Sequence, residues 1–248
     1  MKEQLLITEP NLTDNSPNIV FSCPEESQFY AQCLEKMVFH YNTPVHTIVE
    51  FGTGDGLPVI SCLLNTFFTG TVHGFELNPN ACELARLSIL QNRLDSQYII
   101  HNRCFFEDSQ KLNADCLIAN PPYLPAPDND LYIPALHGGV DGASVTKELL
   151  SLGYESVLLM ISAYSNPIDV VNYANAQGYQ ISDFMISPLK FGYYSRQPKV
   201  LQTIANLRQR NQAFYSKNIY FLAGVLFKLH AQPNSDLSNE FIKVMTAL

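Results

Sequence analysis

The chain has 248 residues, of which 46% are hydrophobic and 15% are charged, and its formal net charge is −8. This length and composition are typical of one large globular domain, or of one domain with a small appendage, and exclude a disordered or fibrous protein. The acidic charge disfavours non-specific binding to duplex DNA, because such binding depends on Lys and Arg residues that neutralise phosphates.

No apolar run approaches the ~20 residues of a membrane span, and the opening sequence MKEQLLITEPNLTD predicts no signal peptide. The six cysteines include no C-x-x-C pair, which is typical of reduced thiols in a cytosolic protein rather than of a disulfide frame or a zinc site. We therefore expect a cytoplasmic protein with no membrane partner and no bound metal.

The first 45 residues contain a helical stretch at 26–39 and predict an N-terminal cap (1–45) that leads into the main domain (46–248). After residue 45, short apolar runs alternate with longer amphipathic runs, which predicts stacked β-α-β units. Strands are predicted at 46–51, 72–76, 98–101, 114–119, 156–162, 180–186 and 219–229. Helices are predicted at 57–68, 80–91, 143–151, 168–177 and 199–213. This order predicts an α/β fold, with a seven-stranded, mostly parallel sheet and helices on both faces.

The run VEFGTGDG at 49–56 lies where the first predicted strand gives way to a helix. Glycines at such a turn let the backbone reverse tightly and approach a ligand closely. The pattern G-x-G-x-G differs from the dinucleotide fingerprint, because Leu57 takes the place of the third glycine. The run also lacks the Gly-Lys-Ser/Thr of a P-loop, which excludes that kind of phosphate site.

Two acidic residues stand at strand ends beside this turn: Glu50 ends the first strand, and Glu76 ends the next, 20 residues after Gly56. A carboxylate at Glu50 would repel a pyrophosphate but suits a ligand that carries an ammonium group. A carboxylate at Glu76 is placed to accept hydrogen bonds from both hydroxyls of a ribose. S-adenosylmethionine, a nucleoside that carries a positively charged amino acid, meets both requirements. A tight turn with solvated acids is the simpler alternative.

The sequence Asn120-Pro121-Pro122-Tyr123 follows the fourth predicted strand. The two prolines fix φ and remove two donors, so the segment is stiff and holds Asn120 at the carboxyl edge of the sheet. The Asn120 side-chain oxygen and the Pro121 carbonyl are adjacent acceptors that suit one NH2 group, and Tyr123 offers an aromatic face to a flat amide or base. A loop terminator is the alternative, since Asn-Pro is common at turns.

In this order, the glycine loop, Glu76 and the Asn-Pro-Pro-Tyr segment resemble the class I amino-methyltransferases, which have a Rossmann-like fold. Residues 20–186 most resemble the release-factor glutamine N5-methyltransferases, and more loosely the N6-adenine methyltransferases. Two further stretches support this resemblance. The run GGVDG at 138–142 is similar to the Gly-Gly-x-Asp-Gly of the glutamine enzymes, and Cys23-Pro24-Glu25 is similar to their Arg-Pro-Glu element.

The resemblance implies an enzyme that uses S-adenosyl-L-methionine, releases S-adenosyl-L-homocysteine and methylates a planar amide or amino nitrogen. Asn120 and the Pro121 carbonyl would accept its two N–H bonds and so localise the lone pair on nitrogen. Donor contacts are expected from Glu50, Phe51, Gly52, Thr53, Gly54, Gly56, Glu76, Leu77 and Asn120. Catalytic contacts are expected from Asn120, Pro121, Pro122 and Tyr123.

A protein glutamine, such as one in a release factor, is the expected acceptor. Adenine in RNA or DNA is the alternative within the class, and a small-molecule amine is a third possible acceptor. A non-catalytic scaffold that binds S-adenosylmethionine is the alternative outside the enzymes. The run GGVDG and the acidic net charge favour glutamine over a nucleic acid. Asp141, which lies in this run, has two interpretations. It either orders the loop or is part of a common turn.

Three features depart from the glutamine family. Arg103 stands where that family usually has an acid that holds adenine, and its N-terminal helical domain is expected to be absent or reduced to residues 1–45. The third is an insertion at about 188–218, which mixes aromatic and basic side chains in a stretch without acids, between Asp183 and Asp236. Such a mixture is typical of single-strand nucleic-acid sites, although amphipathic packing with a basic outer face also explains it. We expect this insertion to select the substrate.

Overall fold

A computed structural model describes residues 20–39, 46–229 and 236–248. Within these residues, seven strands form one sheet in the order β3-β2-β1-β4-β5-β7-β6. The strands are β1 (Thr47–Phe51), β2 (Thr71–Phe75), β3 (Tyr98–His101), β4 (Cys116–Ala119), β5 (Ser156–Ser162), β6 (Tyr179–Lys190) and β7 (Ile219–Leu229). Strands β1 to β5 pair in parallel, and β7 runs antiparallel to both of its neighbours. The predicted α/β fold with a mostly parallel sheet is confirmed.

The helices flank this sheet on both faces. They are α1 (Pro24–Met37), α2 (Leu57–Asn65), α3 (Pro79–Gln91), α4 (Phe105–Asp108), α5 (Ser144–Leu150), α6 (Pro167–Ala176), α7 (Pro198–Gln209) and α8 (Ser238–Met245). Helices α1, α2, α3 and α7 contribute to one buried cluster, and α5, α6 and α8 contribute to the other. Neighbouring residues of β1 face opposite clusters: Ile48 packs in the first and Val49 in the second, as the alternation of a strand requires.

Several predicted bounds differ from those observed, for identifiable reasons. β6 continues past the predicted residue 186, because its pairing with β7 extends to Lys190 opposite Ile219. The first three residues of the predicted insertion, 188–190, are therefore strand. α7 ends at Gln209 rather than at 213, because Asn211 takes a left-handed φ of 56°. The helices α4 and α8 were not predicted.

The predicted cap is described only in part. α1 lies within it and packs against α2 and the two last strands of the sheet, whereas residues 1–19 and 40–45 lie outside the described residues. The prediction of no signal peptide concerns the opening residues, which also lie outside the described residues. The division into cap and main domain stays a prediction.

Within the described ranges, no helix combines the length and the apolar character that crossing a membrane requires. The same residues contain no group of three or more His, Cys, Asp or Glu side chains placed to hold a metal ion.

Candidate active site

The register of the sheet brings the three predicted motifs to one edge. Phe51, the last residue of β1, pairs with the last residues of both β2 and β4. The residues that follow these three strands are Gly52, Glu76 and Asn120, so they lie next to one another at the carboxyl ends. The chain leaves β1 toward β2, while β4 lies on the other side of β1. Such a reversal of strand order opens the crevice in which α/β sheets bind ligands.

The loop after β1 requires glycine for its backbone shape. Gly52, Gly54 and Gly56 have φ values of 68°, 59° and 72°, a region that other residues rarely adopt. A Cβ on Gly52 or Gly54 would meet no atom within 4 Å, whereas a Cβ on Gly56 would come within 3.2 Å of the Tyr98 ring. The loop is therefore packed at its helix end and faces open space at its first two glycines.

Glu76 connects this loop to the turn after β2. Its Oε2 accepts a hydrogen bond from the amide of Gly54 at 2.9 Å, and its Oε1 accepts one from the amide of Asn78 at 2.8 Å. Each carboxylate oxygen has a second acceptor site, so both can still bind a ligand hydroxyl. Leu77, the next residue, has a side chain that is 70% exposed beside this carboxylate.

Asn102 supports Glu76 and was not identified from the sequence. Its side-chain amide donates to the carbonyl of Glu76 at 2.8 Å and to the carbonyl of Leu77 at 3.1 Å. Asn102 comes directly after β3, as Glu76 comes directly after β2. Its position directly after a strand is the sequence feature by which Asn102 could have been identified.

Glu50 lies beneath the loop. It is 2% exposed, and its Oε2 accepts hydrogen bonds from the Thr53 hydroxyl at 3.0 Å and from the Tyr98 hydroxyl. Burial raises the pKa of Glu50 to about 8, although these two hydrogen bonds act in the opposite direction. Glu50 therefore braces the loop from inside the core. Its contact with an ammonium group stays a prediction.

Aromatic side chains pack beside the last residue of β1, and Arg103 is exposed. Phe105 and Phe106, at the start of α4, lie with their ring centres 5.5 Å and 5.6 Å from that of Phe51. The two phenylalanines were not identified from the sequence, although an FF pair just after a strand end is an apolar signal at the site edge.

Asn120 stands on a rigid segment at the end of β4. Pro121 and Pro122 have no N–H, so neither can donate to its side chain. Its Oδ1 is buried and has no hydrogen-bond partner among the described residues. An unsatisfied buried acceptor costs about 1–3 kcal/mol, which a donor on a ligand would recover.

The run GGVDG at 138–142 folds against this segment. A Cβ on Gly138 would lie 2.6 Å from Cα of Tyr123, so the close approach requires glycine there. Asp141 accepts a hydrogen bond from the Asn166 side chain at 2.8 Å and another from the backbone amide of Ala143 at 3.0 Å. Of its two interpretations, the contacts support the one in which Asp141 orders the loop.

Tyr123 belongs to a cluster of buried aromatic side chains. It is 7% exposed, its ring centre lies 5.9 Å from that of Tyr164, and Tyr164 lies 4.6 Å from Tyr220. The buried position leaves little of the Tyr123 ring at the surface. Its stacking on a flat acceptor stays a prediction.

Glu26, in the first turn of α1, reaches the same cluster. Its Oε1 accepts a hydrogen bond from the Tyr220 hydroxyl at 3.4 Å. Burial raises the pKa of Glu26, and the hydrogen bond from Tyr220 acts in the opposite direction. The sequence offered no signal for this contact, because Glu26 and Tyr220 are 194 positions apart.

The predicted insertion contacts the loop that follows Tyr123. Lys199, in the first turn of α7, lies 2.6 Å from Asp128 and 3.3 Å from Asp130. Just before α7, Gln197 accepts a hydrogen bond from the backbone amide of Tyr132 at 2.8 Å. The ion pairs are largely exposed and contribute little to stability, but they place α7 beside the loop that follows the Asn-Pro-Pro-Tyr segment. Selection of a substrate by the insertion stays a prediction.

Comparison with curated proteins finds distant sequence relatives. The ribosomal protein uL3 glutamine methyltransferase of Bradyrhizobium diazoefficiens is 28% identical over 116 residues. The matched stretch covers 44% of this chain and 36% of that protein, so the chain spans about a third of the length of its curated relative. No protein-family model matches the chain.

Solved structures with the same fold include two methyltransferases. The ribosomal protein L11 methylase of Lactobacillus delbrueckii subsp. bulgaricus has a TM-score of 0.53 and 12% identity, and covers 87% of this chain and 84% of its own. The precorrin-6y C5,15-methyltransferase of Geobacter metallireducens has a TM-score of 0.51 and 10% identity, and covers 85% and 90%. The chain therefore has the Rossmann-like methyltransferase fold. Since one of these proteins is named for a ribosomal protein and the other for a precorrin, the fold alone does not decide the acceptor.

Proposed function

We propose that this protein is an S-adenosylmethionine-dependent N-methyltransferase. The observation that carries the proposal is the position of two loops on adjacent strands of this fold. The open glycine loop with Glu76 follows β1 and β2, and the buried, unpaired Oδ1 of Asn120 follows β4. The first offers a cradle for a nucleoside, and the second offers an acceptor for the N–H of a substrate.

The residues on the donor side fit S-adenosylmethionine. The free acceptor sites of Glu76 suit the two ribose hydroxyls, and the open space at Gly52 and Gly54 allows a ligand to approach the backbone. Phe51 lies beside the aromatic wall of α4, which suits an adenine ring. Contacts from Thr53, Gly56 and Leu77 complete the proposed donor site.

On the acceptor side, Asn120 and Pro121 would hold the nitrogen. The bound donor supplies an electrophilic methyl group on sulfur. The Asn120 Oδ1 and the Pro121 carbonyl would accept the two N–H bonds of a planar NH2 group, which draws the nitrogen toward tetrahedral geometry and localises its lone pair. The same two acceptors would stabilise the positive charge that develops on nitrogen. S-adenosylhomocysteine would leave as the bond from sulfur to the methyl group breaks, and the methylated nitrogen would then lose one proton to water. Alignment of this kind supplies ~7–11 kcal/mol in the best intramolecular reactions, so no strong base is required.

We propose a glutamine side chain of a protein as the acceptor. The curated relative is named for glutamine methylation of ribosomal protein uL3, and the close packing of GGVDG on the Asn-Pro-Pro-Tyr segment agrees with a relationship to glutamine enzymes. A carboxamide NH2 presents two N–H bonds in one plane, which matches a pair of adjacent acceptors.

Methylation of adenine in RNA is the second candidate. It is favoured by the exposed cations of the insertion, which have no acidic partner within 4 Å among the described residues. They are Lys190, Arg196, Arg208, Arg210 and Lys217. Lys199, by contrast, is paired with Asp128 and Asp130.

Transfer of a radiolabelled methyl group tests the proposal. The purified protein is incubated with labelled S-adenosylmethionine and, separately, with recombinant ribosomal protein uL3, a release factor and total RNA. Label in a protein, localised by mass spectrometry to a glutamine nitrogen, is the expected result. Label on adenine would replace glutamine by the second candidate. Absence of transfer to all three, together with absence of donor binding, would overturn the proposed function.

A further inference from the structure

The backbone carbonyl of Tyr123, at the far end of the Asn-Pro-Pro-Tyr segment, is held by a side chain from another loop. The Ser165 hydroxyl donates a hydrogen bond to it at 2.7 Å, and this contact joins positions 42 residues apart. Ser165 lies just after β5 and is 2% exposed. A Cβ on Gly142 would come within 2.5 Å of the same carbonyl oxygen and 2.8 Å of the Ser165 Cβ. The oxygen is therefore enclosed between Gly142 and Ser165.

The segment is a stiff span between two anchors. Its first anchor is β4, which ends at Ala119, and the two prolines that follow Asn120 have no N–H with which to continue the pairing. Its second anchor is the backbone after the tyrosine. There, Leu124 donates to the Leu136 carbonyl at 3.2 Å and accepts from the Gly138 amide at 2.9 Å. The position of Asn120 therefore depends on both anchors.

We propose that Ser165 is a positioning residue for methyl transfer, because it fixes the segment that carries the two proposed acceptors of the substrate N–H bonds. Those acceptors are the Asn120 Oδ1 and the Pro121 carbonyl. This inference deepens the proposed function and rests on it. A displacement of about 1 Å at the reacting groups can lower a rate by about 100-fold. A stiff segment passes a shift at one end on to the other, whereas a flexible segment would absorb it.

Asn166, the residue after Ser165, holds the run GGVDG that packs on the same segment. Its backbone takes a left-handed φ of 53°, a region in which asparagine is found more often than most residues. Its side-chain NH2 donates to Asp141 at 2.8 Å, and Asp141 also accepts from the Ala143 amide at 3.0 Å. Two adjacent residues of one loop therefore hold both the segment and the run that packs on it.

The predicted insertion supports this loop. The Asn166 amide donates to the Gln212 carbonyl at 2.9 Å, and the Phe214 amide donates to the Ala163 carbonyl at 2.9 Å. These two bonds fix the backbone of the loop on either side of Ser165. The hydroxyl that holds the segment is therefore presented from a fixed position.

The Ser165→Ala variant tests the role, with the radiolabelled transfer described above as the assay. It removes the hydroxyl with little change of volume, so the Tyr123 carbonyl loses its partner. We expect kcat to fall by about tenfold, because a displaced acceptor stabilises the transition state less well. Affinity for S-adenosylhomocysteine and KM for S-adenosylmethionine should stay unchanged, since the donor loop is held by other contacts. Unchanged kcat in Ser165→Ala would overturn the proposal.

Ser182→Ala is the matched control. The Ser182 hydroxyl also donates to a distant backbone carbonyl, that of Leu226, at 3.1 Å. It lies near the start of β6, at the edge of the sheet opposite the crevice. This variant should lose similar stability and keep wild-type kcat. Equal losses of kcat in Ser182→Ala and Ser165→Ala would mean that lost stability causes the effect, and would also overturn the proposal.

A double substitution tests whether Ser165 acts through Asn120. If Ser165 aligns Asn120, its hydroxyl matters less once the Asn120 Oδ1 is gone. The loss of kcat in the pair Ser165→Ala with Asn120→Ala should therefore be smaller than the product of the two single losses. Single losses that simply multiply would contradict the positioning role.

Hydrogen exchange measures the hold on the segment without any acceptor. The amides of Leu124 and Ala126 come directly after the segment and donate to backbone carbonyls at 3.2 Å and 3.1 Å. Their exchange should become about fivefold faster in Ser165→Ala, the ratio that one hydrogen bond of ordinary strength provides. It should stay at the wild-type rate in Ser182→Ala. Unchanged exchange in Ser165→Ala would contradict the inference.

Asn166→Gly provides a second variant of the same loop. Glycine keeps the left-handed backbone and removes the contact with Asp141, so faster exchange and lower kcat are again expected. If Ser165→Ala does not fold, a wild-type result for Asn166→Gly in both measurements overturns the inference. Failure of the proposed function would appear differently, as a wild type that transfers no methyl group.

Discussion

The two sides of the crevice are built in different ways. The donor side is local: residues 50–56 form the loop, and Glu76 reaches it from the end of the next strand. The proposed acceptor side is assembled from residues far apart in the chain. Tyr123 packs on Tyr164, which packs on Tyr220, and the Tyr220 hydroxyl donates to Glu26. The comparison indicates that donor binding and acceptor alignment depend on separate contacts, so substitutions should affect one without the other.

The largest expected effect is on the acceptor side. Asn120→Ala removes the buried Oδ1 and should lower kcat by about 100-fold or more, the range seen when one group that stabilises the transition state is deleted. Affinity for S-adenosylhomocysteine, measured by calorimetry, should change little. Asn129→Ala, at an exposed position of the following loop, is the control. Weak donor binding with normal turnover in Asn120→Ala would contradict this assignment.

A smaller effect is expected on the donor side, from Gly54→Ala. Alanine in the left-handed region costs about 1–2 kcal/mol, and its Cβ would enter the open space where a ligand approaches. We expect donor affinity to fall by about tenfold, equivalent to 1.4 kcal/mol.

Gly153→Ala is the matched control for this change. Gly153 also has a positive φ (75°) with no atom near its Cβ, but it precedes β5 at the opposite edge of the sheet. Its variant should lose similar stability and keep donor affinity. Equal losses of affinity in both variants would show that strain, rather than the site, causes the effect.

The last prediction concerns stability beneath the donor loop. The pKa of Glu50 is about 8 in the folded protein, above its ordinary value of 4.5. The folded state then holds a proton that the unfolded state releases, so the contribution of Glu50 to stability is greatest at low pH and decreases as pH rises through about 8, by up to about 1.4 kcal/mol per pH unit. Glu50→Gln should remove this dependence and be more stable than the wild type at pH 9.

Urea unfolding between pH 5 and pH 9 measures this difference. Glu83→Gln, at an exposed position of α3, should show the same pH dependence as the wild type. If the free energy of unfolding depends on pH in the same way in the wild type and in Glu50→Gln, Glu50 is ionised in the folded state.

The contrast between the two sides of the crevice also explains how much of the fold and of the candidate site could be predicted from the sequence. The glycine loop, Glu76 and Asn120 are marked by residue type and by their place after apolar runs, so the sheet, its seven strands and the two motif loops follow from the pattern. Three of the strands, β3, β5 and β7, have their predicted bounds. Local periodicity alone was sufficient for these elements.

The remaining contacts depend on packing between distant elements. Nothing near Glu26 in the sequence indicates that α1 would place it against β7, and the end of β6 is set by its pairing with β7 rather than by its own residues. Glu50 was predicted to face a ligand from its place in the motif. Its burial beside Tyr98 depends on β3, which contributes that hydroxyl from 48 positions away.

Calorimetric titration with S-adenosylhomocysteine tests the central claim most directly, with NADH as the comparison ligand. We expect micromolar binding to the wild type and to Asn120→Ala, weaker binding to Gly54→Ala, and none of NADH. This result would place the donor on the glycine loop, independently of the acceptor side. Absence of binding to the wild type at millimolar ligand, or binding of NADH instead, would contradict the account.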